Sequence, residues 1–282
     1  MAMLDTAQPG IVDKQVLTSA MSAKNRPSRS NALSASLTLT WRAWLKLKHV
    51  PSQLVGITIF PILMTLMMTF LFGGALAGSV QAYVQHLIPG MIVLTVTMST
   101  ANTALALNTD IANGIYDRFR SLSFWRPAVL VGSLLGDTLR YTIMVLIVII
   151  VGVILGFRPE AGLSGVLLSL SLVLVFAFSL SWIWTALGLL MDDAESVAMV
   201  SGFTTYPLTF LSNVFVDPAT MPEFLQAFVS INPVSLVTTA LRGLMQGTVT
   251  TPQLVYAFLA CAILIVVFAP LTMYLYNHKN TT

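Results

Sequence analysis

Residues able to carry catalysis are sparse in this sequence, and their spacings do not assemble an enzyme site. No Gly-Lys dipeptide occurs, so the G-x-x-x-x-G-K-[ST] loop that binds the phosphates of ATP is missing. The three histidines, His49, His86 and His278, lie at the ends of apolar runs, which excludes an intramembrane Ser/His protease and an H-E-x-x-H zinc site. Gly136-Asp137 is faintly similar to intramembrane aspartyl proteases, but no second aspartate lies inside another apolar run. We therefore predict a protein without catalytic residues.

Two opposite charges, Asp137 and Arg140, lie three positions apart beside a long apolar run. On a helix this spacing places both side chains on one face, so we expect an ion pair. The alternative is a proton or ion relay, because charges inside a membrane often mark such pathways. A proton-driven carrier usually has more than one buried carboxylate, and the other apolar runs contain none.

The segment 110–126 is too apolar and too aromatic for a solvated linker. Its apolar residues recur at helical spacing with charged residues between them: Ile115, Phe119, Leu122, Asp117, Arg118 and Arg120. A short amphipathic helix of this kind suits a groove on another protein. The alternative is a helix that lies on the membrane and extends its arginines to the surface.

The composition determines the class of fold that must position these residues. Of the 282 residues, 56% are hydrophobic and 9% are charged, against about 25% charged in an average soluble domain. No charged residue occurs between Lys48 and Asp110, a distance sufficient for two membrane crossings of about 20 residues each. The single cysteine, Cys261, excludes a disulfide framework and a cysteine-based metal site. We therefore predict an all-α polytopic membrane protein with no metal site.

The apolar pattern predicts six transmembrane helices. Their expected bounds are 54–72, 84–107, 136–157, 163–191, 197–215 and 254–276. An even number of spans puts both termini on one side, and that side holds twelve of the fourteen Lys and Arg residues, so it is cytoplasmic. Residues 1–38 are predicted to be a disordered cytoplasmic tail. The transmembrane domain is predicted over 39–279, beginning with an amphipathic interface helix at 39–50.

The stretch 224–241 is uncharged for 18 residues and is the alternative seventh span. However, Asn232-Pro233 lies at its middle, and Pro218 and Pro222 precede it, which disfavours a continuous helix. We expect two half-helices that form an extracellular re-entrant hairpin between spans five and six. Glu223 begins this hairpin, where it is expected to cap a half-helix through the helix dipole. A role for Glu223 in an extracellular gate is the further candidate.

Several motifs resemble those of ABC-2 type transporter permeases, in particular the daunorubicin-resistance exporter permeases of bacteria. They are Asn-Gly-Ile-Tyr-Asp-Arg-Phe-Arg-Ser-Leu at 113–122, Leu-x-Gly-x-x-x-x-Asp-x-x-Arg at 130–140, Gly-Val-Ile-Leu-Gly-Phe-Arg-Pro at 152–159, Asn-Pro-Val-Ser at 232–235 and Ala-Leu-Arg-Gly at 240–243. The resemblance covers about residues 35–278. Ser123 stands where the family usually has proline, so the end of that helix and the start of the third span are expected to differ.

The resemblance implies a permease subunit in the bacterial inner membrane, paired with a second permease copy and a cytoplasmic ABC ATPase. ATP and Mg²⁺ are expected in the ATPase, and no cofactor is expected in this chain. The family's coupling helix, which contacts the ATPase, corresponds to Asp110, Gly114, Asp117, Arg118, Phe119 and Arg120. The family's connecting helix corresponds to residues 39–50, and its re-entrant hairpin to 218–247.

The expected substrate is a hydrophobic or amphipathic small molecule such as a drug, an antibiotic or a lipid. Methionines concentrated in the first two predicted spans favour an adaptable apolar path. Polar or aromatic candidates for lining a path at the dimer interface are Thr97, Asn102, Thr103, Thr204, Thr205, Tyr206 and Asn213. Helix packing is the alternative role for these residues. For the whole protein, the alternatives are a permease for a lipid-linked glycan, a self-powered secondary carrier and a non-transporting membrane scaffold.

Overall fold

The computed structural model describes residues 51–113 and 127–278, and within these ranges the regular structure is entirely helical. In chain order the helices are α1 (Pro51–Ala77), α2 (Val80–Thr100), α3 (Asn102–Ala112), α4 (Pro127–Ile154), α5 (Gly162–Leu190), α6 (Ala194–Phe210), α7 (Glu223–Ile231), α8 (Pro233–Gln246) and α9 (Thr251–His278). A short 3-10 turn, Pro218–Thr220, precedes α7. The predicted N-terminal tail and interface helix lie outside the described residues.

The described helices include four to five candidate membrane spans. Four stretches have the necessary length and apolar composition: Val80–Ala112, Gly136–Ile154, Gly162–Leu190 and Thr251–Tyr276. The bent pair formed by α7 and α8 makes a fifth if it is counted as one span. The first predicted span corresponds to a shorter apolar stretch, Thr58–Gly74 within α1, and the fifth predicted span overlaps the 17-residue α6. The all-helical membrane fold is confirmed, whereas the count of six spans stays a prediction.

The second predicted span is longer in the structure than the sequence pattern indicated. It extends over Val80–Ala112, 33 residues, with one interruption at Ala101 between α2 and α3. There the amide of Ala104 bonds to the carbonyl oxygen of Ala101 rather than to the residue four positions back. At about 1.5 Å per residue the stretch is roughly 50 Å long, whereas the hydrocarbon layer is about 30 Å thick. One end of this stretch must therefore project beyond the hydrocarbon layer.

Side chains determine where several helices begin. Asp193 caps α6 by accepting hydrogen bonds from the amide of Ser196 at 2.7 Å and from its hydroxyl at 2.8 Å. These bonds hold the pKa of the exposed Asp193 carboxyl below its ordinary value. Asn232 caps α8 through the amide of Val234 at 2.9 Å. The break that the sequence predicts at Asn232-Pro233 is present, because α7 and α8 meet there at 77°.

Helices α2 and α5 form the centre of the bundle and approach their neighbours through glycines. A Cβ atom on Gly188 of α5 would lie 2.6 Å from the carbonyl oxygen of Ala104 on α3. A Cβ atom on Gly90 of α2 would lie 2.6 Å from the carbonyl oxygen of Val214. Small residues at such contacts let backbones pack closely, which is a main source of helix association in membranes.

We expect Gly188→Ala to lower the thermal stability of the purified protein. The added methyl group would meet backbone rather than a flexible side chain, and overpacking of this kind costs about 1–3 kcal/mol. Gly74→Ala is the control, since a Cβ atom there meets nothing within 4 Å. Thermal unfolding in detergent measures both variants. Equal midpoints for Gly188→Ala and wild type would show that α3 and α5 do not pack this closely.

Candidate functional site

A polar cluster connects three helices near the interruption between α2 and α3. The carboxylate of Asp137 on α4 lies 3.2 Å from Arg140 Nη2 and accepts a hydrogen bond from Thr103 Oγ1 at 2.9 Å. Arg140 Nη2 also lies 3.4 Å from the carbonyl oxygen of Ser99, which it can reach as a donor. The predicted ion pair is therefore confirmed. We call Ser99, Thr103, Asp137, Arg140 and Tyr141 the Asp137 cluster.

The Asp137 cluster continues into the bundle core through Tyr141. The buried hydroxyl of Tyr141 lies 3.3 Å from Thr103 Oγ1 and 3.5 Å from Ser181 Oγ on α5. One turn further along α5, Trp184 Nε1 donates to Thr100 Oγ1 at 2.8 Å. Side chains of α4 and α5 thus hold the interruption from two sides. Displacement of α3 relative to α4 would break both bonds of Thr103.

The last turns of α3 are fastened to the end of α5. Asn108 Nδ2 donates to the carbonyl oxygens of Met191 at 3.0 Å and of Gly188 at 3.4 Å. Asp110, the first predicted coupling residue, lies partly buried near the end of α3. The other predicted coupling residues lie outside the described residues: Gly114, Asp117, Arg118, Phe119 and Arg120.

At the opposite end of the bundle, residues 211–217 leave the helical path and are held by side chains. Asn232 Nδ2 donates to the carbonyl oxygens of Leu208 and Leu211, each at 2.8 Å. Arg242 Nη2 donates to the carbonyl oxygens of Asn213 at 2.8 Å and Val214 at 2.9 Å.

Further bonds tie this segment to α2 and α8. Arg242 Nε donates to the carbonyl oxygen of His86 on α2 at 3.0 Å. Tyr83 Oη lies 3.5 Å from the carbonyl oxygen of Phe215. Asn213 Nδ2 donates to Thr239 Oγ1 on α8 at 2.7 Å. Neighbouring side chains therefore satisfy several backbone carbonyl groups of this non-helical segment.

A cavity of about 350 Å³ opens beside this segment. Its wall is mostly aromatic and sulfur-containing and consists of Met68, Phe72, Tyr83, Phe210, Ser212, Phe215, Val216 and Met221. The rings of Phe210 and Phe215 stack with their centroids 5.6 Å apart and their planes 23° apart. We call this space the aromatic cavity. Its size lies at the lower end of the range for ligand pockets.

The seven predicted path residues divide between buried and exposed positions. Buried are Thr97, Thr103, Thr205 and Asn213, and exposed are Asn102, Thr204 and Tyr206. Several form local bonds, such as Thr97 Oγ1 to the carbonyl oxygen of Val93 at 2.7 Å. None of the seven lines the aromatic cavity. Their role in a substrate path stays a prediction.

Glu223 is the first residue of α7, at the positive end of the helix dipole, as its predicted capping position requires. Pro222 occupies the capping position itself and makes no side-chain hydrogen bond there. The nearby Asp217 instead caps the 3-10 turn by accepting from the amide of Ala219 at 3.0 Å. A role of Glu223 in a gate stays a prediction.

Comparison with known proteins decides the family. The profile of the ABC-2 type transporter family matches residues 35–246 of this sequence. The chain belongs to the ABC-2 type transporter family. The matched region includes the Asp137 cluster, the segment 110–126 and the bent pair of α7 and α8. The resemblance inferred from the motifs is confirmed.

Two relatives of this ABC-2 permease are named for drug resistance. It is 46% identical over 280 residues to the daunorubicin resistance ABC transporter permease protein DrrB1 of Streptomyces coeruleorubidus, covering 98% of this chain and 99% of the relative. It is 24% identical over 224 residues to the probable doxorubicin resistance ABC transporter permease protein DrrC of Mycobacterium tuberculosis, covering 78% and 80% of the two chains. The permease is thus a membrane protein homologous to drug-resistance permeases of ABC transporters.

Sequence reasoning missed two features of the permease. The aromatic cavity depends on rings that come together from α1, α2 and the end of α6, so its members are not adjacent in sequence. Arg242 lies within the predicted re-entrant hairpin and is given no role by the sequence pattern, although its guanidinium binds three backbone carbonyl oxygens. Its place in the Ala-Leu-Arg-Gly motif was the available signal. His86, predicted at a membrane interface, lies in the second turn of α2 with Nε2 buried.

Proposed function

We propose that this permease is the membrane-spanning subunit of an ABC exporter that moves a hydrophobic or amphipathic small molecule out of the cell. The observation that carries this proposal is the 46% identity, over nearly the full length of both chains, to a daunorubicin resistance permease. A separate cytoplasmic ATPase binds ATP and Mg²⁺ and supplies the energy. The chain itself contributes the path and the contact with that ATPase.

In this proposal the domain over 39–279 has six spans, with α1 and α6 as the first and fifth. Both termini lie in the cytoplasm of a bacterial cell, and α7 and α8 form a re-entrant hairpin at the outer surface. The 77° bend between these two helices supports a hairpin over a straight seventh span. Residues 211–217 and the aromatic cavity then lie at the outer end, and the Asp137 cluster lies at the inner end.

The length of the α2–α3 stretch supports coupling to the ATPase through the segment that follows it. A stretch of roughly 50 Å reaches beyond a hydrocarbon layer of about 30 Å, and Asp110 lies near its inner end. Thr103 and Asn108 bind this stretch to α4 and α5. Movement imposed on segment 110–126 by the ATPase would therefore move three helices together. A packed unit of this kind transmits rigid-body motion.

A second permease copy completes the substrate path between the first, second and fifth spans. The side chain of Tyr206 on α6 is 58% exposed and so is available to a second copy. Thr205 Oγ1 and Asn213 Oδ1 are buried without a hydrogen-bond partner among the described residues. Methionine and aromatic side chains around the aromatic cavity favour an apolar drug over a lipid-linked glycan, which needs more hydrogen-bonding groups.

Co-purification with the candidate ATPase tests the proposal. We expect wild type to retain the ATPase in detergent, and Arg118→Glu and Phe119→Ala to release it or uncouple its ATP turnover from transport. Arg158→Glu is the matched charge control, because Arg158 is exposed and lies on the opposite side in the proposed topology. Phe258→Ala, on α9, is the matched ring control. Failure of wild type to bind any ATPase would favour a self-powered carrier, and unchanged ATP turnover with every substrate would favour a scaffold.

A further inference from the structure

We propose that the aromatic cavity is a binding site for a flat aromatic ring system at the outer end of the export path. This inference rests on the proposed function, because it assigns the ligand to transported substrate. It adds a site that the sequence-predicted path residues do not include. Three features of the cavity support this inference. They are the geometry of its rings, the hydrogen bonds that fix part of its wall, and the small number of its polar groups.

The rings offer a stacking surface. Phe210 and Phe215 are nearly parallel, with planes 23° apart, so a flat ring system can extend their offset stack. Phe72 and Tyr83 add further rings to the wall. Met68 and Met221 supply polarizable sulfur atoms, which make favourable contacts with aromatic edges. An acyl chain gains none of these ring interactions.

The wall is held in place before any ligand arrives. Ser212, Phe215 and Val216 belong to the non-helical segment 211–217. Asn232 and Arg242 bind its backbone at Leu211, Asn213 and Val214 with donor–acceptor distances of 2.8–2.9 Å. A ligand therefore does not need to order this segment, which lowers the entropic cost of binding.

The polar groups of the wall fit a ring system with a polar substituent at its edge. Tyr83 and Ser212 are the lining residues that carry a hydroxyl group. Ser212 Oγ already donates to the carbonyl oxygen of Thr209. Tyr83 Oη lies 3.5 Å from the carbonyl oxygen of Phe215, a long contact that a carbonyl or hydroxyl on a ligand can replace. The remaining lining side chains are apolar, so a highly hydroxylated sugar would lose hydrogen bonds here.

A binding titration with purified permease and its ATPase in phosphatidylcholine nanodiscs tests the site. The probe is doxorubicin, a fluorescent molecule with a flat fused-ring system. We expect Phe210→Leu to raise the dissociation constant about fivefold, because leucine keeps an apolar side chain but removes the stacking ring. Phe210→Tyr, which keeps the ring, is expected to bind as wild type does. Phe258→Leu is the control, since Phe258 is 48% exposed against 49% for Phe210 and does not line the cavity.

Phe215→Leu is expected to weaken binding at least as much, because it removes the ring on the held segment. Thermal unfolding shows whether each variant keeps its fold. Equal affinity for wild type, Phe210→Leu and Phe215→Leu would overturn the assignment. The assignment would also be overturned if added fatty acid displaced the probe from every variant as effectively as from wild type. If ATP-dependent transport persists while these variants bind normally, the exporter function stands without this site. Loss of ATPase association in wild type would instead remove the proposed function.

Discussion

Asp137→Asn is expected to lower the thermal midpoint of the permease by about 5–10 °C and to remove most of the ATP-dependent transport that the proposed function implies, measured as doxorubicin uptake into inside-out vesicles. The substitution leaves the Arg140 guanidinium, only 21% exposed, without its carboxylate at 3.2 Å. Removing one member of a buried ion pair typically costs about 3–5 kcal/mol, and because this pair is partly exposed we expect a cost of about 3 kcal/mol. Glu160→Gln is the control, because Glu160 is exposed and outside the Asp137 cluster.

A double variant separates stability from coupling. Adding Arg140→Met to Asp137→Asn removes the uncompensated charge, so we expect most of the thermal stability to return. Transport is expected to stay low, because methionine at this position cannot replace the bond from Arg140 to the carbonyl oxygen of Ser99 at the interruption of the α2–α3 stretch. Recovery of both stability and transport would limit the pair to a structural role. A stable single variant would contradict the ion-pair argument itself.

The second large effect is expected at Asn232, where a nearly isosteric change should be worse than truncation. The side chain uses its oxygen to cap α8 and its nitrogen to donate to two carbonyl oxygens at 2.8 Å. Asn232→Ala removes the cap, worth about 1 kcal/mol, and leaves two carbonyl groups without this donor. Asn232→Asp keeps the cap but places a carboxylate oxygen against two carbonyl oxygens in a site that is 2% exposed. A buried charge without a compensating partner costs several kcal/mol.

We therefore expect thermal midpoints in the order wild type, Asn232→Ala, Asn232→Asp, with the aspartate variant poorly folded. Fluorescence-detected size-exclusion chromatography after a temperature series measures this order. Asn280→Asp adds the same charge near the C-terminus and is expected to behave as wild type. If Asn232→Asp were the more stable of the two, capping would dominate, and the donor bonds to Leu208 and Leu211 would be unimportant.

Local patterns in the sequence predicted several features that depend on residues close together in the chain. The spacing of Asp137 and Arg140 fixed a contact within one helix turn, and the structure has it at 3.2 Å. Pro233 predicted the start of α8, because proline lacks the amide that a continuing helix would need. Long apolar runs predicted the helices, although α4 ends at Ile154 rather than at Phe157. Gly156, with φ of 100°, allows the chain to turn there.

Contacts between distant segments could not be read from these patterns. The aromatic cavity requires Tyr83 on α2 to meet Phe210 and Phe215, more than a hundred positions later. Arg242 binds carbonyl oxygens of α2 and of the segment after α6, a result of how three elements pack. Hydropathy assigns such residues to a helix or a loop, but it does not identify their neighbours. The path residues chosen for polarity alone accordingly scatter between buried and exposed positions.

The hydrogen bonds to residues 211–217 make the folding of this segment depend on residues that are synthesised after it. The carbonyl oxygens of Leu211, Asn213 and Val214 find their donors on Asn232 and Arg242, which a ribosome adds about twenty to thirty residues later. Until α8 has been synthesised and inserted, the end of α6 must keep these groups in water or at the lipid head groups. The final packing of the end of α6 therefore depends on α7 and α8, which follow it, so a chain truncated before Asn232 would leave this end of the bundle unfinished.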